Sequence, residues 1–547
     1  MQGRSLVPDF PLFADERDKA LRIFNRLKLP DVIGQPKMET AAGDWFRDIV
    51  AALFGAYDPE TNRRMIQELF LLVPKKNGKS SYAAAIMVVA MLVNKRPNAE
   101  FLLIAPTKEI AGIAYRQAKG IIKTDPELAK AFKPPQDHIK TITHIGTGAT
   151  LQIKAADTDV ITGSKSTGIL VDETHEFAKK GNAAHIFVEI RGALAARPDG
   201  FMIQITTQSK EPPVGVFKTE LALARDIRDG LVQLPRLAVL YELPEDVARD
   251  DGWRDEKTWP LVNPNMGRSV DKEFLRNSLI AADRAGIDEL ALLASQHFNV
   301  EVGLALRNDA WAGARYWLAA ADTALTLDEL IARSNVAVVG IDGGGLDDLL
   351  GLAVIGRCKA TNHWLLWNHA WAHQDVFDRR KDTASKLDDL IAEGTLTLCK
   401  GATDDLEGVA DIVERLKDEL LLPEKAAIGL DPMGVTALVD ELSSRGIADD
   451  QMQAVPQGFR LNGAVLGAER KLKDGTLIHS GSDLMTWCVG NAKVEQRGNA
   501  VLITKQIARK AKIDPLVASF NAVMLMSRNP EAANSVSMDD WLAGLAA

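Results

Sequence analysis

The architecture of the first half of the chain follows from one segment, LFLLVPKKNGKSSYAAAIMVVAML at residues 69–92. Its apolar start LFLLV predicts a buried strand, and its end SYAAAIMVVAML predicts a helix. The loop between them, VPKKNGKS, is typical of a phosphate cradle, because backbone N–H groups around Gly78 would meet an anion at a helix N-terminus, where the helix dipole favours negative charge. We therefore predict a P-loop within a strand–loop–helix unit.

The lysine and the serine that follow Gly78 have expected roles in such a loop. Lys79 is expected to reach the β- and γ-phosphates of a nucleotide, and the Ser80 hydroxyl is expected to ligate Mg²⁺. Val73 stands where the pattern GxxxxGK[ST] has its first glycine. For the loop taken alone, a lysine-rich surface turn is therefore the alternative interpretation.

A strand that ends in two acids, GILVDE at residues 168–173, follows later in the chain. Ligands of parallel sheets lie at the carboxyl ends of the strands, so Asp172 is expected to hold the metal through water. Glu173 is expected to orient and deprotonate the attacking water. A solvated acidic pair is the alternative for this strand alone, but the two motifs in this order favour an ATPase. The predicted nucleotide-binding residues are Lys75, Lys76, Asn77, Gly78, Lys79, Ser80 and Asp172.

A third strand, FMIQITTQS at residues 201–209, ends in polar side chains. Thr206, Thr207 and Gln208 are expected to sense the γ-phosphate and to pass its loss to the rest of the domain. Taken alone, this strand end is also typical of a simple turn.

The order of predicted strands and helices divides the chain into four regions. From Glu68 to about residue 240, apolar strands alternate with longer helices, as in βαβ units with a parallel sheet. A second β-rich region begins at Asn335, where short connections between VAVVGID, LLGLAVIG and HWLLWNHAW predict an antiparallel meander. The predicted fold class is α/β, with an N-terminal arm (1–35), a parallel-sheet domain (36–240), a charged, mostly helical connector (241–330) and a mixed-sheet domain (331–547).

Three aspartates mark the second β-rich region. Asp342 ends the strand VAVVGID, Asp431 ends the strand AAIGLD, and Asp514 precedes a proline at the expected start of a helix. Two-metal cleavage of phosphodiesters needs carboxylates from different elements, which hold ions roughly 3.5–4 Å apart, and hard oxygen ligands select Mg²⁺ or Mn²⁺. The order of elements predicts an RNase-H-like layout. For each aspartate alone, helix capping or solvation is the alternative.

Composition narrows the class of protein. The 547 residues are 46% hydrophobic and 25% charged, with a formal net charge of −9. This balance argues against wholesale disorder and against nucleic-acid binding through overall basicity, although a local basic channel stays possible. Three scattered cysteines argue against a disulfide framework. Because the start MQGRSLVPDFPLF lacks a signal-peptide pattern and the longest apolar run is far below the roughly 20 residues that span a bilayer, we expect a soluble intracellular protein.

Three aromatic residues have both a functional and a structural interpretation. His175 follows the acidic pair and is placed to sense nucleotide, but a surface histidine is the favoured interpretation. His479, in the strand-like GTLIHS, is placed to approach the aspartates, but a structural role is favoured. Trp45 would stack on a base, but packing is favoured.

Taken together, these motifs resemble those of the large terminase subunits of tailed bacteriophages. A phosphate cradle without its first glycine is typical of that family. The resemblance covers VPKKNGKS, LLIAPTKEIAGIAY, VDETHEF, TTQS, WPLVNPNMG, VAVVGIDGGG, IGLDPMGV, GTLIHSGSDLMTWCVGNA and KIDPLVA.

The resemblance implies a packaging motor with two activities. An N-terminal P-loop ATPase of the ASCE type, with Glu173 as its catalytic residue, would drive double-stranded DNA into a procapsid. A C-terminal RNase-H-like nuclease, with Asp342, Asp431 and Asp514 as its metal ligands, would cut concatemeric DNA. Lys165 and Arg191 are candidates for the arginine finger. The implied cofactors are ATP and Mg²⁺, with Mn²⁺ as an alternative at the nuclease.

The resemblance also implies partners and a place of action. The partners are double-stranded DNA, a small terminase subunit and a portal protein, on which the chain would form a homo-oligomeric ring in the host cytoplasm, absent from the mature virion. Two alternatives stay open from the residues alone. One is a P-loop helicase or translocase without nuclease activity, and the other is a scaffold with a decayed nucleotide site.

Overall fold

The computed structural model describes residues 5–9, 12–136, 138–155, 166–179, 183–244, 247–248, 251–301, 311–379, 383–432, 436–497, 500–505 and 512–533. The chain divides into two compact units, Met1–Val302 and Gly303–Ala547. The described residues of 241–301 thus belong to the first unit and those of 311–330 to the second, whereas the sequence predicts one connector over 241–330. In the described part of the chain, no helix has both the length and the apolar character needed to span a membrane.

A parallel sheet forms the centre of the first unit. The strands described there are β1 (Tyr57–Asp58), β2 (Arg63–Arg64), β3 (Glu68–Leu72), β4 (Glu100–Ala105), β5 (Thr141–Thr143), β6 (Thr150–Ala155), β7 (Ser166–Asp172), β8 (Phe201–Thr206) and β9 (Arg236–Leu240). Among the described residues, seven of them form one sheet in the order β5-β6-β4-β7-β8-β3-β9. All neighbours in it are parallel except β5 and β6, as predicted for βαβ units.

The helices of the first unit cover this sheet or pack on one another. They are α1 (Ala14–Arg26), α2 (Met38–Ala41), α3 (Gly43–Gly55), α4 (Lys79–Val93), α5 (Lys108–Thr124), α6 (Pro126–Lys130), α7 (Ala183–Ala195), α8 (Gly215–Arg228), α9 (Trp259–Val262), α10 (Lys272–Ala285) and α11 (Ile287–Phe298), with 3₁₀ turns at Thr174–Lys179 and Gly252–Arg254. Helix α4 is apolar on nearly all sides because the sheet and the N-terminal helices both cover it. Ala20 and Phe24 of α1 lie in the same core, so residues 14–26 of the expected arm are part of the domain.

The second unit contains a mixed sheet. Its described strands are β10 (Ser334–Gly343), β11 (Leu350–Cys358), β12 (Trp364–His373), β13 (Leu396–Cys399), β14 (Ile428–Leu430), β15 (Met452–Ala454), β16 (Leu477–His479), β17 (Ala492–Arg497) and β18 (Ala500–Lys505). The sheet runs β13-β12-β11-β10-β14-β15, with β16 beside β12, and β17 and β18 form a separate hairpin. Strands β10, β11 and β12 are the predicted antiparallel meander, and β14 is parallel to β10.

Helices flank both faces of this sheet. They are α12 (Ala314–Trp317), α13 (Leu327–Arg333), α14 (Gln374–Arg379), α15 (Ala384–Glu393), α16 (Asp404–Asp418), α17 (Thr436–Ser444), α18 (Asn462–Lys473), α19 (Asp483–Asn491) and α20 (Asp514–Met526), with 3₁₀ turns at Leu318–Ala320, Asp449–Gln451 and Gly458–Leu461.

Two glycines allow α20 to lie directly on the sheet. A Cβ atom at Gly340 on β10 would come within 2.5 Å of the backbone nitrogen of Ala522, and one at Gly351 on β11 within 2.6 Å of the nitrogen of Pro515. Only glycine permits an approach this close. As a result, the first residue of α20, Asp514, lies at the edge where β10 ends.

Candidate functional sites

The predicted phosphate loop connects β3 to α4 in an unusual backbone conformation. Lys76 and Gly78 both have left-handed φ angles, +71° and +79°. A Cβ at Gly78 would come within 2.5 Å of the Tyr82 ring, so a side chain is excluded there on both counts. Lys79 begins α4 directly after this turn and is 7% exposed. The free N–H groups of the first turn of α4 therefore face the loop, as an anion site requires.

The acidic pair after β7 lies beside this loop. The Lys79 Nζ atom is 3.0 Å from Glu173 Oε1, and the His175 Nδ1 atom is 3.3 Å from Glu173 Oε2. Glu173 has φ +54°, a backbone conformation that non-glycine residues adopt rarely and that clusters at functional sites. The structure thus brings together the lysine of the loop and the glutamate of GILVDE, two residues to which the sequence assigns separate roles in one ATPase site.

Asp172 is a buried carboxylate, and the neighbouring Lys79 forms its ion pair with Glu173 instead. It is 2% exposed, and neither of its carboxylate oxygens makes a hydrogen bond of ordinary geometry among the described residues. Burial first, and the charge of Glu173 second, raise the pKa of Asp172 to about 7, although Lys79 and the nearby Ser80 hydroxyl act to lower it. A buried acid of this kind favours a bound cation. Asp172 and Ser80 therefore fit a divalent metal ion.

The pKa of Glu173 shifts in the opposite direction. Burial acts to raise it, but the charge of Lys79, and then that of His175, outweighs burial and lowers the pKa below its ordinary value. The pKa values of these two adjacent carboxyls are thus shifted in opposite directions. The deprotonated Glu173 carboxylate is the form that accepts a proton from water.

The polar end of β8 contacts both motifs. Thr206, Thr207 and Gln208 are fully buried. The Val73 N–H donates to the Thr206 carbonyl at 3.1 Å, and the His175 N–H donates to the Thr206 hydroxyl at 3.1 Å. His175, for which the sequence favours a surface position, is instead buried at 6% exposure, because it lies between Thr206 and Glu173.

Two residues without a role predicted from the sequence connect the loop to the end of β8. Gln296 of α11 accepts a hydrogen bond from the Lys75 N–H at 2.9 Å and donates from Nε2 to the Gln208 carbonyl at 2.8 Å. The Oδ1 atom of Asn299 accepts from the Gln208 N–H at 3.0 Å. In the sequence, these two residues are recognisable only as polar positions within the otherwise apolar stretch LALLASQHFNV.

Arg191, a candidate arginine finger, is engaged within its own unit. Its guanidinium lies 2.8 Å from Glu68 and 2.9 Å from Glu220, which also pairs with Arg236 at 2.8 Å. These contacts tie α7 and α8 to the sheet. Lys165, the other candidate, lies outside the described residues.

In the second unit, strand register places two of the predicted aspartates side by side. Ile341 of β10 pairs with Leu430 of the parallel strand β14, so Asp342 and Asp431 directly follow paired residues. A Cβ at Gly343 would lie 3.1 Å from the Cβ of Asp514, at the start of α20. The backbone therefore brings all three aspartates to one edge of the sheet.

The three carboxylates differ in exposure. Asp514 is buried at 3% exposure, and Asp342 and Asp431 are half-buried. Across the part of the chain that the structure describes, no three His, Cys, Asp and Glu side chains form a group that could hold a metal ion. The fold thus supplies a common edge and oxygen donors of the type that Mg²⁺ and Mn²⁺ prefer, without a closed ligand group.

The other acids near this edge have polar partners. Asp347 pairs with Arg379, Asp348 with the buried Lys512, Asp404 with the backbone N–H of Gly401, and Asp405 with His373. Their contacts are therefore those of turns, helix starts and ion pairs.

The structural interpretations of His479 and Trp45 are confirmed. The His479 ring is stacked on Trp317 with ring centroids 3.8 Å apart, and its Nε2 atom lies 2.7 Å from the Trp317 carbonyl. Trp45 packs edge-on against Tyr82 and Tyr241 and donates from Nε1 to Asn265 Oδ1 at 3.2 Å.

Comparison with known proteins gives matches over most of the chain. The family model for the endonuclease domain of terminase large subunits matches residues 239–529, and that for the ATPase domain matches residues 44–213. Protein YmfN of Escherichia coli K12 is 24% identical over 382 residues, which are 66% of this chain and 77% of that protein. The terminase large subunit of Lactococcus phage p2 is 24% identical over 489 residues, 83% of this chain and 81% of that protein. The fold is also similar to that in the crystal structure of the HK97 bacteriophage large terminase, with 17% sequence identity and a TM-score of 0.46. This match covers 93% of this chain and 99% of the HK97 chain.

Proposed function

The chain belongs to the terminase large subunit family, and on that premise we propose which of its residues carry out the two activities of a DNA-packaging enzyme. The ATPase and endonuclease domains make it an enzyme that hydrolyses ATP and cleaves DNA, with ATP and Mg²⁺ as cofactors. The endonuclease match removes the alternative of a helicase without nuclease activity. We assign ATP hydrolysis to the first unit and DNA cleavage to the second.

The observation that carries the ATPase assignment is the contact between Lys79 and Glu173 beside the buried Asp172. The loop residues Lys75–Ser80 surround the phosphates, and Lys79 with the N-terminus of α4 stabilises the charge that develops on the transferred phosphoryl group. When phosphate becomes the partner of Lys79, Glu173 is released to accept the proton of the attacking water. Asp172 and Ser80 would hold Mg²⁺, which neutralises phosphate charge when bound.

Coupling to the rest of the unit goes through the end of β8. Thr206 shares hydrogen bonds with His175, which contacts Glu173, and with Val73 at the start of the loop. Gln208 is joined to the same loop through Gln296. Loss of the γ-phosphate changes the contacts of Lys79 and Glu173, and we propose that Thr206, Thr207 and Gln208 transmit that change to α11.

For the nuclease, we propose that Asp342, Asp431 and Asp514 hold the divalent ions. The support is their common edge, set by the pairing of β10 with β14 and by the contact of α20 with β10. Mg²⁺ or Mn²⁺ held there would activate water and stabilise charge on the scissile phosphate. Half-buried Asp342 and Asp431 would remain accessible to a DNA backbone, and Asp514 would be fixed by its helix.

The substrate is double-stranded DNA, and we propose that the chain cuts concatemers and drives the cut DNA into a procapsid. The proposed partners are a small terminase subunit and a portal protein, on which copies of the chain form a ring in the host cytoplasm. A net charge of −9 fits this arrangement only if local basic groups of each copy face the DNA.

A crossed pair of variants tests the assignment of residues. Glu173→Ala is expected to lower ATP turnover by about 100-fold or more while nucleotide affinity stays within a few-fold, because only the proton acceptor is lost. Asp431→Ala is expected to abolish Mn²⁺-dependent plasmid cleavage and to leave ATP turnover unchanged. Near-normal turnover in the first variant, or retained nicking in the second, would contradict the corresponding role.

A further inference from the structure

A segment far along the chain lies against the phosphate loop. The NPN segment (residues 263–269, NPNMGRS) follows α9, and 186 positions separate Asn77 from Asn263. The Asn77 Nδ2 group donates to Asn263 Oδ1 at 2.9 Å, and the Asn265 N–H donates to Asn77 Oδ1 at 3.0 Å. Both ends of the fully buried Asn77 amide are therefore held by this segment.

Two more contacts reach the residues on either side of Asn77. The Ser269 hydroxyl donates to the Lys76 carbonyl at 2.5 Å. The Asn265 Nδ2 group donates to the Tyr82 hydroxyl at 2.8 Å, and the Tyr82 ring lies directly over Gly78. The NPN segment thus contacts the loop at the positions where its backbone is left-handed.

The two asparagines are themselves fixed. The Asn263 Nδ2 group donates to the His297 carbonyl at 3.0 Å, and Asn265 Oδ1 accepts from the Trp45 indole. Both side chains are almost fully buried, at 1% and 0% exposure. Burial of an amide is unfavourable unless its donors and acceptors are satisfied, so apolar residues would serve simple packing better. The bonding pattern instead indicates that these amides orient the loop.

We propose that Asn263 and Asn265 are positioning residues of the ATPase site, which hold Asn77 and thereby keep the loop in its phosphate-binding conformation. The inference rests on the proposed function, in which Lys75–Ser80 bind the nucleotide. A left-handed conformation at Lys76 is sparsely populated in a free chain and persists only where neighbours hold it. Without the NPN contacts, ATP has to reorder the loop before it binds, which weakens affinity. The chemical step, which uses Lys79 and Glu173, is unchanged once ATP is bound.

The test uses Asn263→Ala in the full chain. We expect the KM for ATP, and the Kd of a fluorescent ATP analogue, to rise about tenfold, with kcat within twofold of the wild type. Arg276→Ala on α10, which breaks an exposed ion pair with Glu256, is the matched control and is expected to keep the wild-type KM. A purely structural role would lower the thermal midpoint and the active fraction, and so kcat, at constant KM. An unchanged KM overturns the proposal.

A milder variant keeps the proposal testable if Asn263→Ala does not fold. Ser269 is exposed, so Ser269→Ala has little effect on packing. It removes the hydrogen bond to the Lys76 carbonyl and the one that the Ser269 hydroxyl accepts from the Asn265 amide, and we expect its KM to rise about threefold. No rise in KM for this variant overturns the positioning role. Glu173→Ala, assayed in parallel, separates the two hypotheses. Wild-type turnover in that variant refutes the proposed function, whereas an inactive Glu173→Ala with an unchanged KM in the NPN variants refutes only the positioning role.

Discussion

Two neighbouring carboxyls show how single residues acquire different chemistry from their surroundings. Asp172 is the last residue of a buried strand, where desolvation dominates and raises its pKa. Glu173 lies one residue further, at a left-handed turn that brings it to Lys79, whose charge lowers its pKa. The sequence predicts both roles from position alone, because an acid at a strand end is near the ligand edge of a parallel sheet. The sequence does not reveal that His175 completes this group.

At the same scale, we predict from the surroundings of His479 that acid lowers the stability of the second unit. The Gly481 N–H donates to its Nδ1 atom and its Nε2 atom lies 2.7 Å from the Trp317 carbonyl, so the neutral ring uses both nitrogens. Burial lowers the pKa of His479 to about 4. The unfolded state therefore binds the proton first, and stability is fully present above about pH 6.5 and is lost as the pH falls toward 4, by about 3 kcal/mol.

The measurement is urea unfolding of the wild type and of His479→Gln between pH 4 and pH 7.5. The variant is expected to be less stable at pH 7, because the stacking on Trp317 is lost, but to show a smaller decrease in stability on acidification. An equal decrease in both proteins would contradict the role of His479.

At the scale of elements, the packing of α20 on β10 and β11 determines where Asp514 lies. We predict that Gly340→Ala lowers the free energy of unfolding by about 2 kcal/mol and reduces Mn²⁺-dependent cleavage, because the new methyl group forces α20 away from the sheet. Gly467→Ala, in α18 with open space around its Cβ position, is the matched control and is expected to be neutral or to stabilise by roughly 0.5–1 kcal/mol. If both variants cleave DNA like the wild type, α20 does not position Asp514.

The elements also show what a sequence can predict here. Strands such as LFLLV and FMIQI, and the meander from Asn335, are predictable because apolar runs and turn residues are local signals. The NPN segment is not, because its hydrogen bonds join residues 186 positions apart and no local pattern encodes such a contact. Long-range contacts also explain why the sequence predicts only a connector over 241–330. Gln296 and Asn299 in that range contact the end of β8, and no local pattern encodes these contacts.

At the scale of the whole molecule, the core of the second unit begins before the expected boundary at residue 331. Trp311 and Trp317 are each 1% exposed and lie in the same hydrophobic cluster as α18 and α20. Leu325 and Leu330 are buried in the second cluster of that unit. Truncation of a buried tryptophan costs about 3–5 kcal/mol, and a domain has about 5–15 kcal/mol of stability in total. A fragment that lacks residues 303–330 therefore loses a large part of its stability.

This predicts different behaviour for two fragments. Residues 303–547 are expected to unfold cooperatively and to cleave plasmid DNA with Mn²⁺, and the same fragment with Asp431→Ala is the control that ties cleavage to the proposed ligands. Residues 331–547 are expected to be unfolded or to melt far lower, because His479 loses the Trp317 ring and carbonyl and helices α18 and α19 lose their contacts with α12. The melting temperature and the cooperativity of unfolding of both fragments are measured by calorimetry and circular dichroism. Equal melting temperatures and equal cleavage would place residues 303–330 outside the nuclease domain and restore a connector that extends to residue 330.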